Sequence, residues 1–168
     1  MQNLNSFRKS LQFTLQWEGG YVVDESDPGG ETKWGISKRA YPSLDIKNLT
    51  PAQAADIYAR DYWDKVGGDQ IPFPMCTAVF DSAVNNGVSR AVSWMKQAST
   101  PKAFLDLRRS FYYQVVKNNP QESKFLKGWL NRLNDLVKFV DLNTTPIGED
   151  LPDMNKNPVP FAKQVGYQ

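Results

Sequence analysis

Glu18 stands where a helix end least favours a carboxylate. It closes an apolar run of Leu4, Phe7, Leu11 and Leu15, and Gly19-Gly20 follows it. The helical spacing of that run puts Glu18 on the same face as the leucines. Gly19-Gly20 is a helix stop, so Glu18 belongs to the last turn. There the helix dipole opposes a negative charge by about 0.3–1 kcal/mol. Burial beside Leu15 and Trp17 also disfavours the ionised form. Both effects favour a protonated carboxyl, which is what a general acid requires. The competing reading is a structural ion pair with a Lys or Arg.

Asp24, Glu25, Asp27, Glu31 and Thr32 follow closely in a glycine-rich segment, GGYVVDESDPGGETKWGI, over 19–36. That composition reads as a loop or short hairpin. A hairpin returning over the helix end brings a second carboxylate opposite Glu18. Two carboxyl groups flanking a cleft, one protonated and one ionised, suit glycoside hydrolysis. The acid protonates the leaving oxygen, and the second group activates water or attacks the sugar.

Composition removes the main alternatives. The 168 residues include no histidine, which excludes Ser-His-Asp and Cys-His mechanisms and His-ligated metals. The single cysteine, Cys76, excludes an internal disulfide or thiolate cluster. Its apolar surroundings, Pro74 to Phe80, mark it as a small buried hydrophobe. No metal or organic cofactor is expected. A net charge of +2 without a concentrated basic patch argues against nucleic acid, while tolerating an anionic wall polymer. The segment MQNLNSFRKSLQF lacks the apolar core of a signal peptide, and no apolar run is long enough to span a bilayer. The expectation is cytoplasmic synthesis without membrane insertion, with any external substrate reached through another protein.

The elements that must position these groups are mainly helical. A first helix covers 4–18, and Ser37 to Tyr41 form a short helical turn. Thr50-Pro51-Ala52-Gln53 is a capping box with proline at the first helical position. It predicts a helix through Ala54, Ile57 and Tyr58 to about Trp63, broken by Gly67-Gly68. Met75, Val79, Phe80, Ala83 and Val84 predict a central helix over 74–86, ended by Gly87. Another follows over 88–97. Pro101 starts a helix with a stripe of Phe104, Leu107, Phe111 and Val115. The clearest stripe is Leu126, Trp129, Leu130, Leu133, Leu136, Val137 and Val140, over 122–140. From Asp141 onward, scattered prolines and charges predict an irregular tail. The fold class is mainly α, with a short glycine-rich β-hairpin after the first helix.

Several motifs in order carry a family resemblance. Trp17-Glu18-Gly19-Gly20-Tyr21 and Asp27-Pro28-Gly29-Gly30-Glu31-Thr32-Lys33-Trp34-Gly35-Ile36 resemble the signature of glycoside hydrolase family 108, N-acetylmuramidases with a lysozyme-like fold. Phe80-Asp81-Ser82-Ala83-Val84-Asn85-Asn86-Gly87 resembles a second family motif. The segment from Val88 to Leu142, with Lys127-Gly128-Trp129-Leu130-Asn131-Arg132, is similar to the peptidoglycan domain that follows in the family. The resemblance implies a catalytic region over 1–87 and a helical peptidoglycan-binding region over 88–142, packed as one globular unit. An irregular tail occupies 143–168.

The resemblance maps the catalytic glutamate onto Glu18. The order Glu18-x8-Asp27-x4-Thr32 is similar to the Glu-x8-Asp-x5-Thr triad of phage muramidases, one residue shorter. Asp27 is then the base or water-positioner, against a turn-forming role before Pro28. Thr32 orients water, against capping a turn. Asp24-Glu25 stands where Asp-Pro is common in the family, and Glu25 is a further candidate carboxylate. Tyr21 and Trp34 line the cleft and stack on sugars, against packing of the hairpin. Asn85 and Asn86 offer amides to the glycan, against helix termination; Asp81 is structural.

The activity so implied is hydrolysis of the β-1,4 bond between N-acetylmuramic acid and N-acetylglucosamine in peptidoglycan. The setting is phage lysis, with a holin or other export route giving a monomeric enzyme access to the wall. The alternatives are a lytic transglycosylase, a bacterial secretion-associated muramidase and a non-catalytic peptidoglycan-binding module.

Overall fold

A computed structural model describes residues 2–24 and 30–144. Glu25, Asp27 and the tail from 145 to 168 lie outside the described residues. Helix α1 spans Gln2–Glu18 and ends at Gly19, whose φ of +72° is left-handed. That geometry is the usual glycine stop, so Glu18 is the last helical residue, as the sequence predicts. α1 buries Ser10, Leu11, Phe13 and Thr14.

The glycine-rich excursion is a three-stranded antiparallel sheet of β1 (Tyr21–Val23), β2 (Glu31–Lys33) and β3 (Ile36–Ser37), in that order. Tyr21 pairs with Lys33, Val23 with Glu31, and Lys33 with Ile36. Trp34 and Gly35 alone join β2 to β3, with φ values of +49° and +74°. Positive φ at both central positions is the pattern of a type I′ turn, whose twist suits a tight hairpin.

Thr50 caps α2 (Pro51–Tyr58). Its hydroxyl accepts from the Gln53 amide at 3.3 Å, and its own amide donates to Gln53 Oε1 at 2.9 Å. The helix does not stop at Trp63. A π-helical turn over Ala59–Trp63 leads into α3 (Asp64–Val66), which ends at left-handed Gly67.

α4 (Met75–Asn86) is the central element, with every residue from Cys76 to Ala83 buried. Burial pushes the Cys76 thiol up from its ordinary range, consistent with an inert hydrophobe. α5 (Val88–Met95), α6 (Pro101–Asn118) and α7 (Ser123–Thr144) pack around α4 together with α1. One apolar cluster joins Phe13, Val79 and Ala83 to Phe104, Leu133 and Leu136. A second joins Leu11, Phe80 and Trp63 to Ile36 of the sheet.

Two further sequence expectations shift. In α6 the buried residues are Phe104, Leu105, Arg108 and Tyr112, while Leu107, Phe111 and Val115 are only half-buried. The face is rotated because Arg108 is drawn to a carboxylate inside the core. α7 also continues past Asp141 to Thr144.

Candidate active site

The site begins at the C-terminal end of α1. The Glu18 side chain is 18% exposed, and its Oε1 accepts from Arg132 Nη1 at 2.7 Å. Glu18 therefore makes the ion pair that the sequence set against a catalytic role. Its partner lies 114 residues away, on α7. Oε2 points to the β2–β3 turn: a Cβ built on Gly35 would lie 2.6 Å from it. Gly35 is thus required twice over, for its left-handed φ and for the approach of the carboxylate.

Tyr58 fixes that turn from α2. Its phenol donates to the Trp34 carbonyl at 2.7 Å. Burial, and then the negative charge of Glu18, push the Tyr58 phenol far above its ordinary range, so it remains a neutral donor. Tyr62 is raised by the same two causes in the same order. A bulky residue at positive φ is strained. Trp34 is held there by the Tyr58 bond, by packing on the second cluster and by the Lys33 ammonium 4.7 Å from its ring centroid.

Behind Arg132 lies Asp81, fully buried in α4. Arg132 Nη2 donates to Asp81 Oδ1 at 2.8 Å, and Arg108 Nη1 to Oδ2 at 2.7 Å. Thr14 adds a hydroxyl donor at 3.0 Å. Burial alone would raise the Asp81 carboxyl, but Arg108 and Arg132 outweigh it and hold it below the usual carboxylate range. Burial would likewise weaken the Arg132 cation, yet Asp81 and Glu18 strengthen it. Arg108 extends the chain to Ser82 at 3.0 Å and to Asn85 Oδ1 at 3.0 Å.

Of the remaining sequence candidates, Asn85 meets this chain of charges directly. Asn85 Oδ1 also accepts from the Tyr112 phenol at 2.8 Å. Asn85 and Asn86 line a groove of about 290 Å³ with Phe111, Tyr112 and Trp129. Thr32 is half-buried, on the sheet face shared with Val22 and Ser37, opposite the face that Ile36 turns into the core. Tyr21 is exposed, and its phenol donates to Oε1 of Glu31 in β2 at 2.8 Å. Asp27 and Glu25, the candidates for the second carboxylate, fall outside the described residues. Among the described residues no acidic, Cys or His group of three could hold a metal ion.

The sequence reading missed Arg132 and Arg108 as parts of the site. A signal existed: an aspartate inside a helix whose residues from Cys76 to Ala83 are buried must find cations or donors.

The Glycosyl hydrolase 108 family model matches residues 11–87. Among solved structures the chain is similar to Brucella abortus SagA, with 28% identity and a TM-score of 0.66, over 84% of this chain and 97% of that one. No curated protein matches the chain.

Proposed function

We propose that this chain, whose residues 11–87 match the Glycosyl hydrolase 108 family model and whose fold is mainly α and lysozyme-like, is a glycosidase of peptidoglycan and, within that class, an N-acetylmuramidase acting through Glu18. The bond is the β-1,4 linkage from N-acetylmuramic acid to N-acetylglucosamine. The observation that carries this reading is a glutamate at a helix end with one oxygen held by a cation and the other facing a strained hairpin turn. Strained backbone concentrates at functional sites.

Oε2 of Glu18 meets the glycosidic oxygen and hands it a proton. The bond from C1 to that oxygen then breaks, and the water oxygen bonds to C1. The proton lost by water passes to the second group, for which Asp27 is our candidate, with Thr32 orienting the water. Trp34 and Tyr21 offer aromatic faces, and Asn85 and Asn86 offer amides beside a groove. The reading keeps phage lysis as the setting, with a holin or other export route giving access to the wall.

The test is mass analysis of muropeptides from purified peptidoglycan digested with wild type and Glu18→Gln. Reducing muramic ends made only by wild type support the proposal. Anhydro ends indicate a transglycosylase, and equal digestion by the variant removes Glu18 from the mechanism.

A further inference from the structure

We infer that Arg132 is a positioning residue for Glu18, so that α7 completes a site whose acid lies on α1. This rests on the reading of Glu18 as the acid. Arg132 lies outside the segment matched by the family model, 11–87.

Charge counting separates this role from simple core support. Asp81 and Arg108 already form a neutral buried pair at 2.7 Å, with both side chains fully buried. Arg132, 8% exposed, adds a second cation to that pair. An uncompensated buried charge is costly, and the carboxylate that balances it is Glu18, at 2.7 Å. Two guanidiniums and two carboxylates thus alternate as Arg108, Asp81, Arg132 and Glu18. Packing alone needs no such arrangement, because apolar groups of similar volume stabilise a core as well as or better than buried ion pairs.

Geometry gives the second argument. A guanidinium is a rigid planar fork. Arg132 spends Nη2 and Nε on Asp81, at 2.8 Å to Oδ1 for Nη2 and 3.2–3.3 Å to the two oxygens for Nε. Asp81 is itself held by Arg108 and Thr14. The remaining nitrogen, Nη1, is therefore fixed in space, and Glu18 Oε1 docks on it. That contact decides which carboxyl oxygen faces Gly35 and is left to meet the substrate. An ammonium has no such fork. Lysine at 132 keeps the buried charge beside Asp81 but cannot hold both carboxylates in the same geometry.

The test measures kcat and KM on solubilised peptidoglycan, with Tm, for Arg132→Lys, Arg132→Gln, Glu18→Gln and the double variant Glu18→Gln/Arg132→Lys. We expect Arg132→Lys to fold, to lose about 100-fold in kcat, as a misplacement of about 1 Å does, and to keep its KM. In the Glu18→Gln background the same change costs nothing further, because the two residues act as a unit. A folded Arg132→Lys with wild-type kcat overturns the inference while leaving Glu18 in place. So does an equal loss in both backgrounds, or a loss confined to KM. Should Arg132→Gln fail to fold, Arg132→Lys still decides. An active Glu18→Gln overturns the underlying reading instead.

Discussion

A single methyl group at Gly35 tests the approach of the hairpin to Glu18. Alanine at a φ of +74° is strained, at about 1–2 kcal/mol for an L-residue in the left-handed region. For a chain of this size that lowers Tm by about 2–8 °C, at roughly 2–4 °C per kcal/mol. The contact adds a second effect. The new Cβ would lie 2.6 Å from Glu18 Oε2 and 2.8 Å from the Tyr58 oxygen. Ordinary non-bonded contact begins near about 3.5 Å, so the turn and the carboxylate must part by somewhat under about 1 Å. Displacement of that order costs about 100-fold in rate. Gly19 supplies the control: its φ is +72°, and a Cβ there meets nothing within 4 Å. Gly19→Ala should share the fall in Tm while retaining most activity. Calorimetry and turbidity loss of purified peptidoglycan measure the two effects. If Gly35→Ala loses the expected stability but digests within twofold of wild type, Glu18 does not depend on this turn. If its Tm is unchanged, the left-handed geometry of the turn is wrong.

Two further predictions concern the supports. Asp81→Asn leaves Arg108 and Arg132 without their shared anion and should cost about 3–5 kcal/mol at neutral pH. The native Asp81 carboxyl is held below its unfolded value, about 3.9. Its contribution is therefore present above that value and is lost as pH falls through the lower native one. Urea unfolding across pH should show the gap between wild type and Asp81→Asn narrowing below about pH 4; a constant gap refutes the assignment. Tyr58→Phe removes the donor to the Trp34 carbonyl. It should cost about 1–3 kcal/mol for the stranded acceptor and lower kcat with little change in KM. Wild-type kcat at reduced stability would detach Tyr58 from the site.

What the sequence revealed was local. The Gly19 stop, the Thr50 capping box and Pro101 at the start of α6 each act within a few residues, and each stands where expected. The glycine-rich segment read as a loop or short hairpin, and the β2–β3 turn places Gly35 at one of its two positive-φ positions. What escaped was long-range pairing. Glu18 read as a carboxylate opposed by a helix end, since its cation sits 114 residues further on. The face of α6 was misread for a related reason. Apolar periodicity selects Phe104, Leu107, Phe111 and Val115, and it passes over Arg108 and Tyr112, which the fold buries.

Asp81 links both misses. It lies in Phe80-Asp81-Ser82-Ala83-Val84, inside the most apolar helix, where an ionised carboxylate requires cations. Once α4 is taken as central, those cations must come from helices that pack on it. The candidates then are basic residues at core-facing positions: Arg108 is four residues from Phe104, and Arg132 is adjacent to Leu133. Two arginines around one aspartate leave an excess positive charge, which a carboxylate at the mouth of the core must balance. Glu18, closing the buried stripe of α1, is in position to do so. The partner of the candidate acid was thus deducible from the one buried charge the pattern contained, by electroneutrality rather than by periodicity.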